Sequence, residues 1–185
     1  GQAVRQASFN GVSIMTGTGY VSANFSAWGG FATTILLIVM FIGGCGGSTT
    51  CGIKVFRLQV LASTAKVQIS RLLRPHAVVL AYYNKRPVSV EVMDSVMGFF
   101  YLFILGFALI AIMLGIAGLD FVTALSGAAT SISNVGPGLG EVIGADGNFS
   151  TLPNSAKWIM SFAMLLGRLE IFTVLVMLNP AFWQR

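Results

Sequence analysis

Two short glycine-bearing stretches hold the residues whose type and spacing could do chemistry: Gly17-Thr18-Gly19-Tyr20 and Asn134-Val135-Gly136-Pro137-Gly138. The chemistry they suit is ion coordination by the backbone. A potassium-selective filter holds a cation with carbonyl oxygens that replace its water shell. Turning successive carbonyls toward one axis needs dihedrals that most side chains resist and glycine permits. One such turn would mean little, because most glycine turns are plain loops. Here each follows a short apolar segment (residues 2–15 and 120–132) rich in Ala, Ser, Thr, Val and Phe, and each precedes a longer apolar run. The candidate filter residues are Thr18, Gly19, Asn134, Val135 and Gly136, with potassium at the backbone carbonyls of Thr18, Gly19, Asn134 and Val135.

Other chemistry is poorly supplied. Cys45 and Cys51 are too few for a zinc site, and their spacing inside one apolar stretch disfavours a disulfide. Both read as small packing residues. His76 reads as a solvated loop residue. With no cluster of histidine, cysteine and carboxylate and no acid pair, neither an enzyme nor an organic cofactor is expected.

The elements that must position the turns are membrane elements. The chain of 185 residues is 55% apolar and 9% charged, against about 25% charged in soluble domains, so lipid is the expected solvent. Three runs approach the roughly 20 residues needed to cross a bilayer: 29–53, 95–119 and 158–183. Trp28, Trp158 and Trp183 stand at their ends, where indoles favour the headgroup level. The two short segments read as re-entrant pore helices, since irregular backbone at membrane depth persists only beside water or buried in protein. The fold class expected is therefore an all-α integral membrane protein of repeated span, pore helix, filter turn and span.

Setting Gly19 on Gly136 places Thr18 on Val135 and Ala7 on Ala124, and each turn is followed by Asn-Phe-Ser and then a Trp, with a few extra residues in the second copy. Both triplets match a glycosylation sequon, but local turn chemistry explains them better. Between the copies, Lys54, Arg57, Lys66, Arg71, Arg74, Lys85 and Arg86 form a basic stretch with no acid between Arg5 and Glu91. Lying between apolar runs, this stretch is a cytoplasmic loop by the positive-inside rule and not a nucleic-acid surface. An amphipathic helix over 54–74, stopped by Pro75, and a small hairpin turning at Asn84-Lys85-Arg86-Pro87 are expected there. Both filter-like turns then face outward, beside Glu141 and Asp146.

Two features remain. Gly43, Gly44, Gly46 and Gly47 put four glycines in five residues of the first run, too many for an undisturbed helix at about 1 kcal/mol each. No Lys follows in phosphate-loop spacing, which leaves close helix packing or an unwound segment. Arg168, deep in the third run, must face water, carbonyls or an acid, and Glu170 points to a different helix face.

Together the two filter turns, Gly43-Gly44-Cys45-Gly46-Gly47-Ser48-Thr49-Thr50, Gly167-Arg168-Leu169-Glu170 and the ending Pro180-Ala181-Phe182-Trp183 resemble the Trk-type potassium uptake proteins, the TrkH/TrkG/KtrB family. The similarity covers essentially the whole chain. It implies four such repeats around one pore, of which this chain resembles the last two without the first span of the third. Residues 1–74 would be the third-repeat pore helix, filter turn and glycine-broken second span with its cytoplasmic extension. Residues 75–90 would be a cytoplasmic loop, and 91–185 the fourth repeat. Upstream sequence is expected to be missing. The resemblance also implies a gate made of Gly43, Gly44, Gly46, Gly47 and Arg168. It further implies a multi-pass homodimer in the bacterial inner membrane and a cytosolic nucleotide-binding TrkA-like ring. Mixed potassium and sodium selectivity stays open. A non-conducting scaffold or receptor subunit is the other alternative, but it would need neither two glycine turns nor an intramembrane arginine.

Overall fold

The computed structural model describes residues 1–74, 79–169, 171–178 and 180–183. The expected helix stop at Pro75, and the readings of His76 and Glu170, lie outside the described residues. Among the described residues the regular secondary structure is helical apart from one two-stranded hairpin and an isolated bridge.

Both short apolar segments are helices. Helix α1 runs over Gln2–Met15. A helix α2, Gly30–Phe41, and a basic helix α3, Val55–Leu73, follow. Strands β1 (Tyr82–Tyr83) and β2 (Arg86–Pro87) pair antiparallel. Their turn places Asn84 and Lys85 at φ 48 and 63, both positive as a type I′ hairpin turn requires. Ser63 of α3 ties the hairpin down, its hydroxyl donating to Tyr82 O and accepting from Tyr82 N, both at 3.1 Å.

Helix α4, Val90–Ile116, has 27 residues and is long and apolar enough to cross a bilayer. At about 1.5 Å per residue it reaches some 40 Å, beyond the roughly 30 Å hydrocarbon core. It starts earlier than expected because Pro87 ends the hairpin and the backbone enters the helix directly after Ser89. Helix α5, Phe121–Ser133, is the second short helix. Then come α6 (Gly140–Ile143), α7 (Asn154–Arg168), α8 (Ile171–Leu178) and α9 (Pro180–Trp183).

The runs at 29–53 and 158–183 are not single spanning helices. The first stops at Phe41, where the glycine run begins, so α2 has 12 residues and reaches only about 18 Å. The second is interrupted after Arg168, where Leu169 leaves the helix in a bend.

Helix α5 is the centre of the fold. Ala124, Ala128 and Ile132 pack with Phe103, Ile110 and Leu114 of α4 and with Ala156, Met160 and Ala163 of α7. On another side Ala129 joins Ile14 of α1 and Leu36 and Met40 of α2. Alanines at these contacts let backbones approach closely, which is how helices associate without hydrophobic drive between them. Phe41 stacks edge-to-face on Phe103 and Phe107, with centroids 6.0 and 5.0 Å away, and so fixes α2 against α4.

Asp120 caps α5, its carboxylate accepting from Thr123 N at 3.1 Å. Its hydrogen bonds with the Thr123 side chain and backbone hold its pKa below the usual aspartate value. A depressed folded value means that the cap contributes above the unfolded pKa near 4 and is lost as pH falls through the folded value. We expect Asp120→Ala to cost about 1 kcal/mol at pH 7, lowering the melting midpoint in detergent by about 2–4 °C. The difference should shrink below about pH 4, whereas Asp120→Asn should melt near the parent at pH 7 and lack that acid dependence. Equal midpoints for parent and alanine variant at pH 7 would remove the cap from the account.

Candidate functional site

The two turns are copies of one backbone conformation. With Gly19 set on Gly136, Gly17 falls on Asn134, and all four have positive φ: 69 and 76 in the first turn, 53 and 110 in the second. Asn134 is the one without a glycine's freedom, and Asn is among the few side chains that tolerate the left-handed region. In the same register Ser13 falls on Thr130, and both hold their turn. Thr18 N and Gly19 N donate back to Ser13 O at 3.0 and 3.3 Å, and Val135 N donates to Thr130 O at 3.0 Å. The Ser13 hydroxyl donates to Tyr20 O at 2.7 Å, and Thr130 Oγ1 accepts from Gly136 N at 3.0 Å. Sequence reading missed these two hydroxyls, although the register that aligned the glycines also aligned them.

The turns meet each other. A Cβ on Gly19 would stand 2.6 Å from Val135 O and 3.2 Å from Pro137 Cδ, and one on Gly136 would stand 3.7 Å from Gly19 Cα. Thr18, Gly19, Asn134, Val135 and Gly136 therefore form one site. Val135 is buried, while Thr18 and Gly136 are exposed.

The glycine run lies in a non-helical loop between α2 and α3, closed at its neck. Ile42 and Ile53 form a parallel bridge, with Gly43 N donating to Ile53 O at 2.9 Å and Ile53 N to Phe41 O at 2.8 Å. Val55 N adds a bond to Gly44 O at 3.2 Å. The glycines thus differ in role. Gly43 is buried against the Cys51 carbonyl, where a side chain has no room, and Gly44 faces Ser48 and Thr50. Gly46 and Gly47 stand at the exposed tip, Gly47 with nothing within 4 Å of a would-be Cβ. The reading of Cys45 as a packing residue is corrected here, whereas Cys51 is half-buried. Cys45 is exposed at that tip, and Cys51 Sγ lies 3.6 Å from Arg168 Nη1.

Arg168 ends α7 and reaches the loop, Nη1 donating to Thr49 O at 2.8 Å. A carbonyl, one of the kinds of partner expected for it, is thus supplied by the loop. Below this contact is a cavity of about 260 Å³ whose lining includes Ser48, Thr50, Lys54, Arg57, Phe99 and Arg168. The Arg57 guanidinium lies over the Phe99 ring, 3.8 Å from its centre.

Beyond the turns the copies stay in step. Asn24 Oδ1 accepts from Ser26 N and Asn148 Oδ1 from Ser150 N, both at 2.9 Å, each opening a 3₁₀ turn (Phe25–Trp28 and Phe149–Thr151). This is the turn chemistry expected of the Asn-Phe-Ser triplets. Aligning them sets Gly30 on Asn154, the first residues of α2 and α7, and Gly43 on Gly167, where both helices give out. Trp28 falls on Leu152, not on Trp158, which sits inside α7. The extra residues of the second copy are α6 and its flanks. They latch onto the first copy through Asn24 Nδ2 to Asp146 Oδ2 at 2.5 Å and the Ser26 hydroxyl to Gly140 O at 3.1 Å.

Short helix, glycine turn and interrupted helix, twice over and packed turn to turn, are the features of a pore-helix transport protein. The profile of the TrkH family, described as cation transport protein, matches residues 1–185, and the chain belongs to that family. The Trk system potassium uptake protein TrkI of Halomonas elongata is 48% identical over 180 residues, covering 97% of this chain and 37% of that protein. TrkH of Escherichia coli K12, likewise named a Trk system potassium uptake protein, is 37% identical over 98% of this chain and 37% of its own length. The crystal structure of the potassium transporter TrkH from Vibrio parahaemolyticus superposes with a TM-score of 0.87 at 39% identity, covering 96% of this chain and 37% of that one. The chain thus spans a little over a third of the length of these relatives.

Gly167 was quoted for the family pattern but given no role by sequence reading. Its backbone lies against Ile132 O at the end of α5, beside Asn134 Nδ2, which donates to Met164 O at 3.0 Å. We expect Gly167→Ala to push α7 off α5 and cost about 1–3 kcal/mol, while Gly47→Ala stays within about 0.5 kcal/mol. Melting in detergent compares them, and equal midpoints would mean that the α5–α7 contact tolerates a methyl.

Proposed function

We propose that this chain supplies two adjoining segments of a carbonyl-lined pathway for a monovalent cation, potassium by preference, across the bacterial inner membrane. The carrying observation is the abutting pair of filter turns, repeated residue for residue in positive φ at Gly17/Asn134 and Gly19/Gly136. Helices α1 and α5 both end at these turns, and a helix C-terminus carries about half a negative charge, which favours a cation there. The potassium uptake named for the relatives supports the choice of ion. The remaining segments around the pore, a homodimeric assembly and control by a TrkA-like nucleotide-binding ring belong to the same proposal.

If the turns are the filter, a side chain at Gly19 or Gly136 strikes the neighbouring turn or forces a disfavoured φ. In a complete transporter carrying this sequence, reconstituted in liposomes, Gly19→Ser and Gly136→Ser should each lower the rubidium-to-sodium flux ratio about tenfold, equivalent to about 1.4 kcal/mol of lost preference. Parental ratios in both variants at normal expression would sink the filter assignment.

The loop and Arg168 complete the reading as a gate under the filter. The loop obstructs the path sterically, the guanidinium opposes a cation, and the bond from Arg168 to Thr49 O holds the two together. Arg168→Ala should therefore raise rubidium uptake and weaken its dependence on the cytosolic partner. Arg168→Lys, which keeps the charge but not the planar fork, should fall between variant and parent. Should the alanine variant conduct no faster than the parent, the loop's glycines are better explained as packing.

A further inference from the structure

The two filter turns are anchored differently. In the second, the Asn134 side chain donates to Met164 O of α7, so the turn is tied to a packed helix. The matching position of the first turn is Gly17, which has no side chain to donate. Its place is filled from the loop. Thr50 Oγ1 donates to Thr16 O at 3.2 Å, and a Cβ on Gly17 would stand 3.6 Å from the Thr50 methyl.

Thr50 does not act alone. Its hydroxyl lies 2.8 Å from Ser48 Oγ, while its own N donates to that same oxygen at 3.2 Å. The geometry lets Ser48 donate to Thr50 and Thr50 donate onward to Thr16 O, a chain in which each bond polarises the next. On the far side Thr16 Oγ1 is 2.8 Å from the hydroxyl of Thr18, a filter residue. On the near side the preceding carbonyl, Thr49 O, receives Arg168. Thr16 O is one of the helix-end carbonyls left without a helical partner, and at membrane depth such a group must find one elsewhere.

We propose that Thr50 is a positioning residue that couples the loop to the first filter turn. While the loop is seated, Thr50 holds Thr16 O and so fixes Gly17 to Gly19. Without that bond the carbonyl loses its partner and the turn relaxes, so ion preference falls; the gate opens by releasing the Arg168 bond while Thr50 keeps hold of Thr16 O. The inference rests on the filter and gate reading above, and adds that the two are one mechanical unit on the first repeat and not on the second.

The test is rubidium and sodium flux from the complete transporter in liposomes. Thr50→Val keeps the shape and a methyl but removes the donor, and Thr50→Ser keeps the donor. The valine variant should lower the rubidium-to-sodium ratio about threefold, the scale set by one net hydrogen bond, and the serine variant should restore it. A role in folding alone would move expression and melting but not this ratio. If the valine variant folds poorly, Thr50→Ala, which cannot overpack, takes its place. Gly19→Ser is run alongside. If it lowers the ratio while both donor-free Thr50 variants keep the parental value, the coupling is wrong and the filter stands. If Gly19→Ser also leaves the ratio unchanged, the filter reading fails and the coupling falls with it.

Discussion

Helix α5 stops among buried residues and α1 stops where its turn abuts the second one, and the polar backbone groups at both ends have to be satisfied. A helix leaves its last four carbonyls without internal partners, and the turn that follows adds its own N–H groups. In water the solvent answers for them; at membrane depth the protein must. The chain does so with side chains placed on the pore helices themselves. Ser13 and Thr130 hold the turns, and Ser126 gives and takes with Leu139 of the stretch beyond at 3.2 and 3.1 Å. Hydroxyls are costly to bury in a helix unless partnered, and of the buried ones on α5 Ser133, its last residue, has no hydrogen-bond partner among the described residues. Their crowding on α5 follows from the helix having to end where it does.

The same constraint shapes the packing. With Ser126 and Thr130 turned toward the stretch that follows the helix, α5 has small side chains left for its neighbours, and Ala124, Ala128 and Ala129 admit α4, α7 and α2 at close range. Gly167 extends that close approach to the point where α7 passes the Ile132 carbonyl. The broken second helices follow as well. A loop that must leave α2 and return to α3 needs a neck satisfied by its own backbone, and the bridge between Ile42 and Ile53 provides one. Gly43 sits where that neck is too narrow for a side chain, which gives the glycine run a structural reason independent of gating.

Much of this was legible in the sequence because it is carried by composition over many residues. The bounds of α1 agree with the expected segment, α5 is shifted by one residue because Asp120 caps it from outside, and the hairpin forms at Asn84-Lys85. The repeat was legible through its glycines. What failed was the continuity of the outer spans. An apolar run records where lipid or protein surrounds the chain, not where the helix is intact, so 29–53 and 158–183 read as spans although both are interrupted. The distribution of labour among Gly43, Gly44, Gly46 and Gly47 was likewise invisible, since it depends on Cys51 folding back against the neck. Arg168 was flagged by its cost in lipid, but its bond to Thr49 O needed coordinates.

Charge and shape divide the proposed barrier between them, and their sizes can be compared. The ends of α1 and α5 bring partial negative charge to the filter turns, while Arg168 sets a full positive charge beside the loop. At an effective dielectric of about 20, a unit charge about 10 Å from a passing cation opposes it by about 1.7 kcal/mol, and by less where water enters. That slows passage roughly twentyfold at most and cannot close a pathway. A backbone loop across the path can, because displacing it means breaking the neck bonds and the Arg168 bond together. The arginine then matters more as a hydrogen-bond donor that seats the loop than as a charge. Its position at the last residue of α7 suits that task, because the following break frees the side chain to reach sideways to Thr49 O instead of packing along a continuing helix.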